Sequence, residues 1–216
     1  MADTRQPVLI VVAGPNGSGK TTLTEQIIRH QWIGDCTYIN PDSIAQELGD
    51  WNSPSLIRRA AEIASARRDR CIAERKSLAF ETVLSAADKV DFIRNAKDLG
   101  YFVRVFFVGT DHPGINASRV AQRVMEGGHD VPIPKIISRY TKSIANCAAL
   151  AGFVDRCYVY DNSIDGAEPR LLFRSNEGRV MKIYSEINPW ARNIEQNLID
   201  PENKQEPKFS SEDFEP

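Results

Sequence analysis

Several things are scarce in this chain. It has four cysteines (Cys36, Cys71, Cys147, Cys157), none in a Cys-x-x-Cys pair, and three histidines that offer them no metal-ligand spacing. A disulfide scaffold and a structural zinc site are therefore excluded as organising devices, and reduced thiols in a reducing cytosol are the expected state. No stretch approaches the roughly 20 apolar residues that a membrane span needs. The five to seven apolar residues from Val8 are too few for a signal peptide. Charge of one sign is also missing: a formal net charge of −2 leaves no basic field to draw the chain onto nucleic acid. No internal repeat is present. These absences predict a cytoplasmic protein without a membrane segment, and 216 residues at 42% hydrophobic suffice for one good-sized core.

What is present is more specific. Residues 14–21 read Gly-Pro-Asn-Gly-Ser-Gly-Lys-Thr, a full match to G-x-x-x-x-G-K-[ST], preceded by the apolar run Leu9–Ala13. Leu23, Ile27 and Ile28 then recur at helical spacing, so strand, glycine loop and helix fall in the order that a phosphate-binding loop requires. Glycines let backbone N–H groups curl around an anion, and the helix N-terminus adds partial positive charge. The predicted nucleotide-binding set is Gly14, Pro15, Asn16, Gly17, Ser18, Gly19, Lys20, Thr21 and Thr22. Lys20 is to reach the β- and γ-phosphates, and the Thr21 hydroxyl is to face Mg²⁺.

Strand signals at 8–13, 37–40, 77–81, 101–108 and 156–160 alternate with helical patterns near 20–31, 42–49, 55–76, 87–99, 114–126 and 133–150. The alternation predicts an α/β fold: a doubly wound parallel sheet with helices on both faces, and Tyr101–Val108 at its centre. Runs at Arg170–Phe173 and Arg179–Tyr184, around Asn176-Glu177-Gly178, predict a small C-terminal hairpin over about 168–185. Residues 1–199 are read as a single domain. Residues 200–216, with three prolines and six acids against two lysines, are read as a disordered tail.

In such sheets ligands lie beyond the carboxyl ends of the strands. Asp42 follows Thr37–Ile39 at a helix start, where it is either a cap or a general base. Glu81 ends the third strand and is read as holding substrate. Asp111, beyond the fourth strand, fits a Mg²⁺-supporting acid or a helix cap equally well. Arg119 and Arg123 lie four apart, Gly127-Gly128 gives a joint, and Lys135, Arg139 and Lys142 follow on a second helix. Two cation-bearing helices joined by glycines, over about 114–142, suit a phosphate-clamping lid. His129 in the joint is read as structural. The cations of 52–76 are interspersed with acids and read as a solvated helix face, the alternative being a nucleic-acid surface.

Four segments together resemble the zeta toxin family over roughly residues 8–162: Gly-Pro-Asn-Gly-Ser-Gly-Lys-Thr-Thr-Leu (14–23); Asn40-Pro41-Asp42 with Ile44-Ala45; Phe80-Glu81-Thr82-Val83-Leu84-Ser85; and Arg-Val-Ala-x-Arg-Val-x-x-Gly-Gly-His-x-Val-Pro (119–132) followed by Arg139-Tyr140. The match is closest to the compact chromosomal branch. The resemblance implies a P-loop kinase that uses ATP or GTP with Mg²⁺ to phosphorylate the amino-sugar 3′-hydroxyl of UDP-N-acetylglucosamine, held in check by an antitoxin protein. It implies Asp42 as the base, Lys20 as the phosphate lysine, and Arg123 and Arg139 as the lid arginines, with Arg119 a weaker candidate. Glu81 and Thr82 would line the acceptor pocket. The lid arginines are spaced differently from those of the plasmid toxins, and the C-terminal extension of longer toxins is missing. Both departures bear on the acceptor, leaving a nucleoside, an antibiotic or a polynucleotide 5′-hydroxyl as alternatives. A nucleotide-switch ATPase that transfers phosphate only to water is the alternative from another class.

Overall fold

A computed structural model describes residues 6–28, 36–49, 53–128 and 130–198. Its seven-stranded sheet is built from β1 (Val8–Ala13), β2 (Thr37–Ile39), β3 (Leu78–Thr82), β4 (Phe102–Gly109), β5 (Arg156–Asp161), β6 (Arg170–Asn176) and β7 (Arg179–Ile183), in the order β2-β3-β1-β4-β5-β6-β7. The first five strands pair in parallel, and β4 stands at the centre as its apolar run predicts. The hairpin β6–β7 adds antiparallel to β5 and so extends the sheet. Its two-residue turn holds Glu177 at φ 47° and Gly178 at φ 76°, the left-handed pair that a tight hairpin turn demands.

Period-two alternation decides which face each helix covers. Leu9, Val11 and Ala13 of β1 join Val103, Val105 and Phe107 of β4 in one core layer. That layer packs under α2 (Pro41–Leu48), α3 (Pro54–Ala73), α4 (Ala87–Asp98), α6 (Ile133–Ala151) and α7 (Pro189–Gln196). Ile10, Val12, Phe106 and Val108 point the other way, against Leu23 and Ile27 of α1 (Lys20–Ile28). The remaining helix, α5 (Pro113–Met125), shares a small cluster of its own with the start of α6: Val120, Val131 and Ile136.

From β1 the chain leaves toward β2 on one side of the sheet, and from β4 toward β5 on the other. The crevice between their carboxyl ends is the topological switch point, where doubly wound sheets bind ligands. Three expectations fall on residues that are not described: the end of the helix near 20–31, His129 and the tail 200–216. Helix α7 was not foreseen, although Asn188 before Pro189, with Trp190, Ala191 and Ile194 buried, is a legible helix start.

Candidate active site

The glycine loop between β1 and α1 closes on itself. Lys20 Nζ donates to the carbonyls of Gly14 and Pro15, both at 2.9 Å. Gly17 and Gly19 sit at φ 73° and 93°, where a side chain would be strained, and each is also hemmed in. A Cβ on Gly17 would lie 2.5 Å from the Asn116 carbonyl oxygen, and one on Gly19 would lie 2.2 Å from Asn162 Nδ2. Those two asparagines brace the loop from outside. Asn116 Nδ2 donates to Asn16 O at 2.7 Å, and Asn162 Nδ2 donates to Ser18 O at 2.9 Å. Asn116 is itself held by the Thr110 hydroxyl, and Tyr140 OH donates to Thr110 O at 2.6 Å. Burial, with Asp111 and Asp161 adding to it, pushes the Tyr140 phenol up to about 12, so it remains a donor at any working pH.

Asn116, Asn162 and Thr110 were missed by sequence reasoning. Asn162 follows directly after β5, so inspecting the residue beyond that strand end would have found it.

A cavity of about 1340 Å³ opens in front of the loop. Asn16, Gly17, Gly19, Lys20, Thr21 and Thr22 line it, while Gly14, Pro15 and Ser18 are buried beneath the loop. Asp42, Glu81, Thr82, Arg119, Arg123 and Arg139 line it as well. Among these, Thr82 is buried, and Asp42 and Arg123 are exposed.

Each of these side chains reaches the cavity for a local reason. The β2 strand stops at Ile39 because Asn40 caps α2, its Oδ1 accepting from Asp42 N at 2.9 Å, and Pro41 fills the first helical position. The cap is therefore Asn40, and the Asp42 carboxylate is left for the cavity. Glu81 is oriented by Tyr38, whose OH donates to Glu81 Oε1 at 2.8 Å while accepting from Asn40 Nδ2 at 3.1 Å. Burial and the Glu81 carboxylate raise the Tyr38 phenol far above its ordinary value, so Tyr38 remains a donor. Beyond Thr82, Leu84 takes φ 57°, and its N–H donates to Thr82 Oγ1 at 3.1 Å. The α6 side chains Ser143 and Asn146 clamp this turn by donating to the Val83 and Leu84 carbonyls at 2.7 and 2.8 Å.

The charges converge on Lys20. Burial pulls its ammonium from an ordinary 10.5 down to about 8; Glu81 and Asp42 push it back up, and Arg123 and Arg139 push it further down. Two carboxylates and two guanidiniums are thus within electrostatic reach of one loop lysine. Arg139 is anchored, its Nη1 donating to Asn16 Oδ1 at 3.2 Å. Arg119 is more committed: it ion-pairs with Asp165 at 2.5 Å and donates to Asn162 O at 2.8 Å, which ties α5 to the segment after β5.

Asp111 is not on the cavity wall. It accepts from Asn188 Nδ2 at 2.8 Å, in front of α7. Nor does it cap α5, since His112 holds that place with Nδ1 accepting from Gly114 N at 3.0 Å. Among the cations of 52–76, Arg59, Arg70 and Lys76 pair with Glu62 or Glu74 in exposed positions, the solvated face expected of them. Arg58 and Arg68 instead turn to the cavity.

A family model described as "Zeta toxin" matches residues 1–164, three quarters of the chain. The chain belongs to the zeta toxin family. Its parallel sheet and glycine loop are those of a P-loop kinase, the class to which this family belongs. An uncharacterized protein of Haemophilus influenzae is 28% identical over 142 residues, which cover 61% of this chain and 91% of that protein. The PezAT chromosomal toxin–antitoxin system of Streptococcus pneumoniae superposes with a TM-score of 0.60 at 16% identity, covering 91% of this chain and 80% of that one. The AvrRxo1-ORF1:-ORF2 complex with ATP gives 0.63 at 17% identity, covering 93% of this chain. This chain spans 65% of that one's length. At these identities the likeness to the solved structures is one of fold. Among the described residues no helix is long and apolar enough to cross a membrane.

Proposed function

We propose that this zeta toxin family member is a kinase that transfers the γ-phosphoryl group of ATP or GTP to a hydroxyl of a nucleotide sugar of the UDP-N-acetylglucosamine kind. One observation carries the reading: Lys20, Asp42, Glu81, Arg123 and Arg139 all line one cavity, and the charges of the other four are all felt at Lys20. Phosphoryl transfer asks for positioned charge and an oriented nucleophile, and these residues supply both.

In this reading the glycine loop and Lys20 hold the triphosphate. Asp42 accepts the proton of the acceptor hydroxyl as its oxygen bonds to the γ-phosphorus and the bond to the β-phosphate oxygen breaks. Arg123 and Arg139 neutralise the charge that builds on the transferring group and on the departing diphosphate. Glu81, oriented by Tyr38, and Thr82 hold the acceptor, and Arg119, which lines the same cavity, is the weaker candidate for it. Mg²⁺ fits the residues present, because it keeps much of its shell as phosphate oxygens and water. The Thr21 hydroxyl, which lines the cavity, would hold it, and it would supply charge neutralisation.

The lid of this reading spans about 114–142, within one kinase domain over 1–199. The deep burial of Ile144, Cys147 and Leu150 fixes the far end of α6 in the main core. Asn116 and Arg119 likewise tie the start of α5 to the glycine loop and to the segment after β5, so closure is confined to the end of α5 and the first turns of α6, the stretch that carries Arg123. PezAT is a toxin–antitoxin system and AvrRxo1-ORF1 is solved with ORF2, which supports a protein partner, an antitoxin, for this chain.

The deciding measurement is transfer from labelled ATP to UDP-N-acetylglucosamine. Asp42→Asn is expected to cost about 10²-fold or more in kcat while ATP affinity stays unchanged. Equal loss of both would mark Asp42 as structural. ATP consumption by the wild type that no added hydroxyl compound accelerates would favour a nucleotide switch instead.

A further inference from the structure

Asn16 stands where the glycine loop meets the cation-bearing helix α6, and both of its oxygens are taken. Its backbone carbonyl accepts from Asn116 Nδ2 at 2.7 Å, and its side-chain Oδ1 accepts from Arg139 Nη1 at 3.2 Å. From Asn116 the contacts run on to the Thr110 hydroxyl, and Thr110 O accepts from Tyr140 OH at 2.6 Å. Tyr140 directly follows Arg139 on α6. The bonds therefore close into a ring that leads from the loop through α5, the residue after β4 and α6, and back to the loop through one guanidinium. Asn116 and Thr110 are fully buried and Tyr140 nearly so. Opening any of these bonds would leave a buried polar group unpaired, so the ring is stiff. It fixes the turn of α6 at Arg139-Tyr140 against the loop, behind the first turns that are left to close.

The group that holds Arg139 is a neutral amide. Arg119 is committed to the Asp165 carboxylate, whereas among the described residues no carboxylate ion-pairs with Arg139. An amide oxygen sets the direction of a guanidinium without cancelling its charge. It also occupies one edge of the fork and leaves the other N–H groups to an oxyanion. The loop carbonyls that receive Lys20 Nζ belong to Gly14 and Pro15, the two residues before Asn16, and the charge of Arg139 is felt at Lys20. The two cations thus flank one short stretch of loop from opposite ends of the chain.

We propose that Asn16 is a positioning residue whose side chain aims Arg139 at the terminal phosphate of the bound nucleotide, so that the pair distinguishes a triphosphate from a diphosphate before any transfer occurs. The inference rests on the kinase reading and deepens it, giving the Asn16 side chain a task separate from the backbone of the loop. The physical gain is pre-organisation. A free arginine loses rotamer freedom when it meets a phosphate, and the contact with Asn16 has removed much of that freedom in advance. A diphosphate at the loop leaves Arg139 with Asn16 alone and gains nothing from the arrangement.

The test titrates the full chain in Mg²⁺ calorimetrically with ADP and, separately, with the non-hydrolysable imido analogue of ATP. Wild type is expected to bind the analogue at least about tenfold more tightly than ADP. Asn16→Ala is expected to weaken the analogue about tenfold with ADP affinity unchanged, since the carbonyl that holds Asn116 remains. Arg139→Ala should show the same split. Combining the two should add no further loss, because partners in one contact do not act independently. Asn16→Ser decides if Asn16→Ala does not fold, because its shorter side chain keeps a polar group in the loop and falls short of Arg139. A retained preference for the analogue in the Asn16 variant overturns the proposal, as do equal losses for both nucleotides, additive losses in the double variant, or a wild type without the preference. A wild type that binds neither nucleotide would overturn the kinase reading of the loop instead.

Discussion

Lys20 concentrates the electrostatics of the site in one side chain. Its ammonium titrates near 8 rather than 10.5 because burial disfavours the charged form. The sign of the linkage follows from that direction. Between about 8 and 10.5 the unfolded chain holds this proton more often than the folded one, so the Lys20 contribution to stability rises with pH through that window, and the full penalty of burying the charge applies below it. Nucleotide affinity runs the other way, since a neutral amine gives up its charge on the phosphates. Titration of ATP binding should show affinity falling as pH rises through about 8. In Lys20→Met that pH step should be absent, and ATP turnover should be lost in a chain that still folds.

At the scale of elements, the loop is a shape held by its neighbours. The start of α5 supplies Asn116 and the end of β5 supplies Asn162, which hold the Asn16 and Ser18 carbonyls on either side of Gly17. Asn162→Ala should cost about 1–3 kcal/mol in denaturant unfolding, because it orphans a buried carbonyl, and should weaken ATP binding as well. Gly19→Ala should have the larger effect on nucleotide, because its Cβ would meet Asn162 Nδ2 at 2.2 Å in a backbone region that side chains avoid. Substituting Asn162 by Ala in the Gly19→Ala chain removes the clash and leaves the strained φ. Partial recovery of ATP binding in that double variant would be the signature of steric origin.

Across the whole molecule, α7 locks the carboxyl edge of the sheet from behind. Trp190 Nε1 donates to the buried Asp161 at 3.1 Å, and its ring lies where any side chain at Gly109 would be, 2.4 Å from a Cβ there. Trp190→Ala should therefore cost about 3–5 kcal/mol in global unfolding and should loosen the β5 end that carries Asn162. Ligand linkage acts at the same scale. At a hundredfold excess over Kd, ATP should add about 2.7 kcal/mol, a rise in Tm of roughly 5–10 °C for a chain of this size. Lys20→Ala should lose most of that rise, which differential scanning calorimetry would show.

Much of the fold and part of the site were legible because they are written in short-range patterns. The glycine loop between an apolar run and a helical repeat fixes strand, turn and helix from residues 8 to 28, since each step depends only on local backbone preference and side-chain period. The parallel order, the centrality of β4 and the hairpin around Glu177-Gly178 follow from similar local signals. What remained was decided by contacts between residues far apart in the chain. Asn116 looks like one more polar residue of a helix and Asn162 like a loop asparagine until the sheet brings them 100 and 144 residues back to Asn16 and Ser18. Asp111 looks equally like a Mg²⁺-supporting acid or a helix cap until Asn188 claims it, and Arg68 looks like one more solvated cation until the α3 face rotates it onto Phe80 and Phe92. Backbone propensity and hydrophobic period are properties of a few consecutive residues and can be read directly. Burial, hydrogen-bond pairing and the sharing of one cavity by Asp42, Glu81 and Arg139 depend on distances that exist only once the sheet has closed.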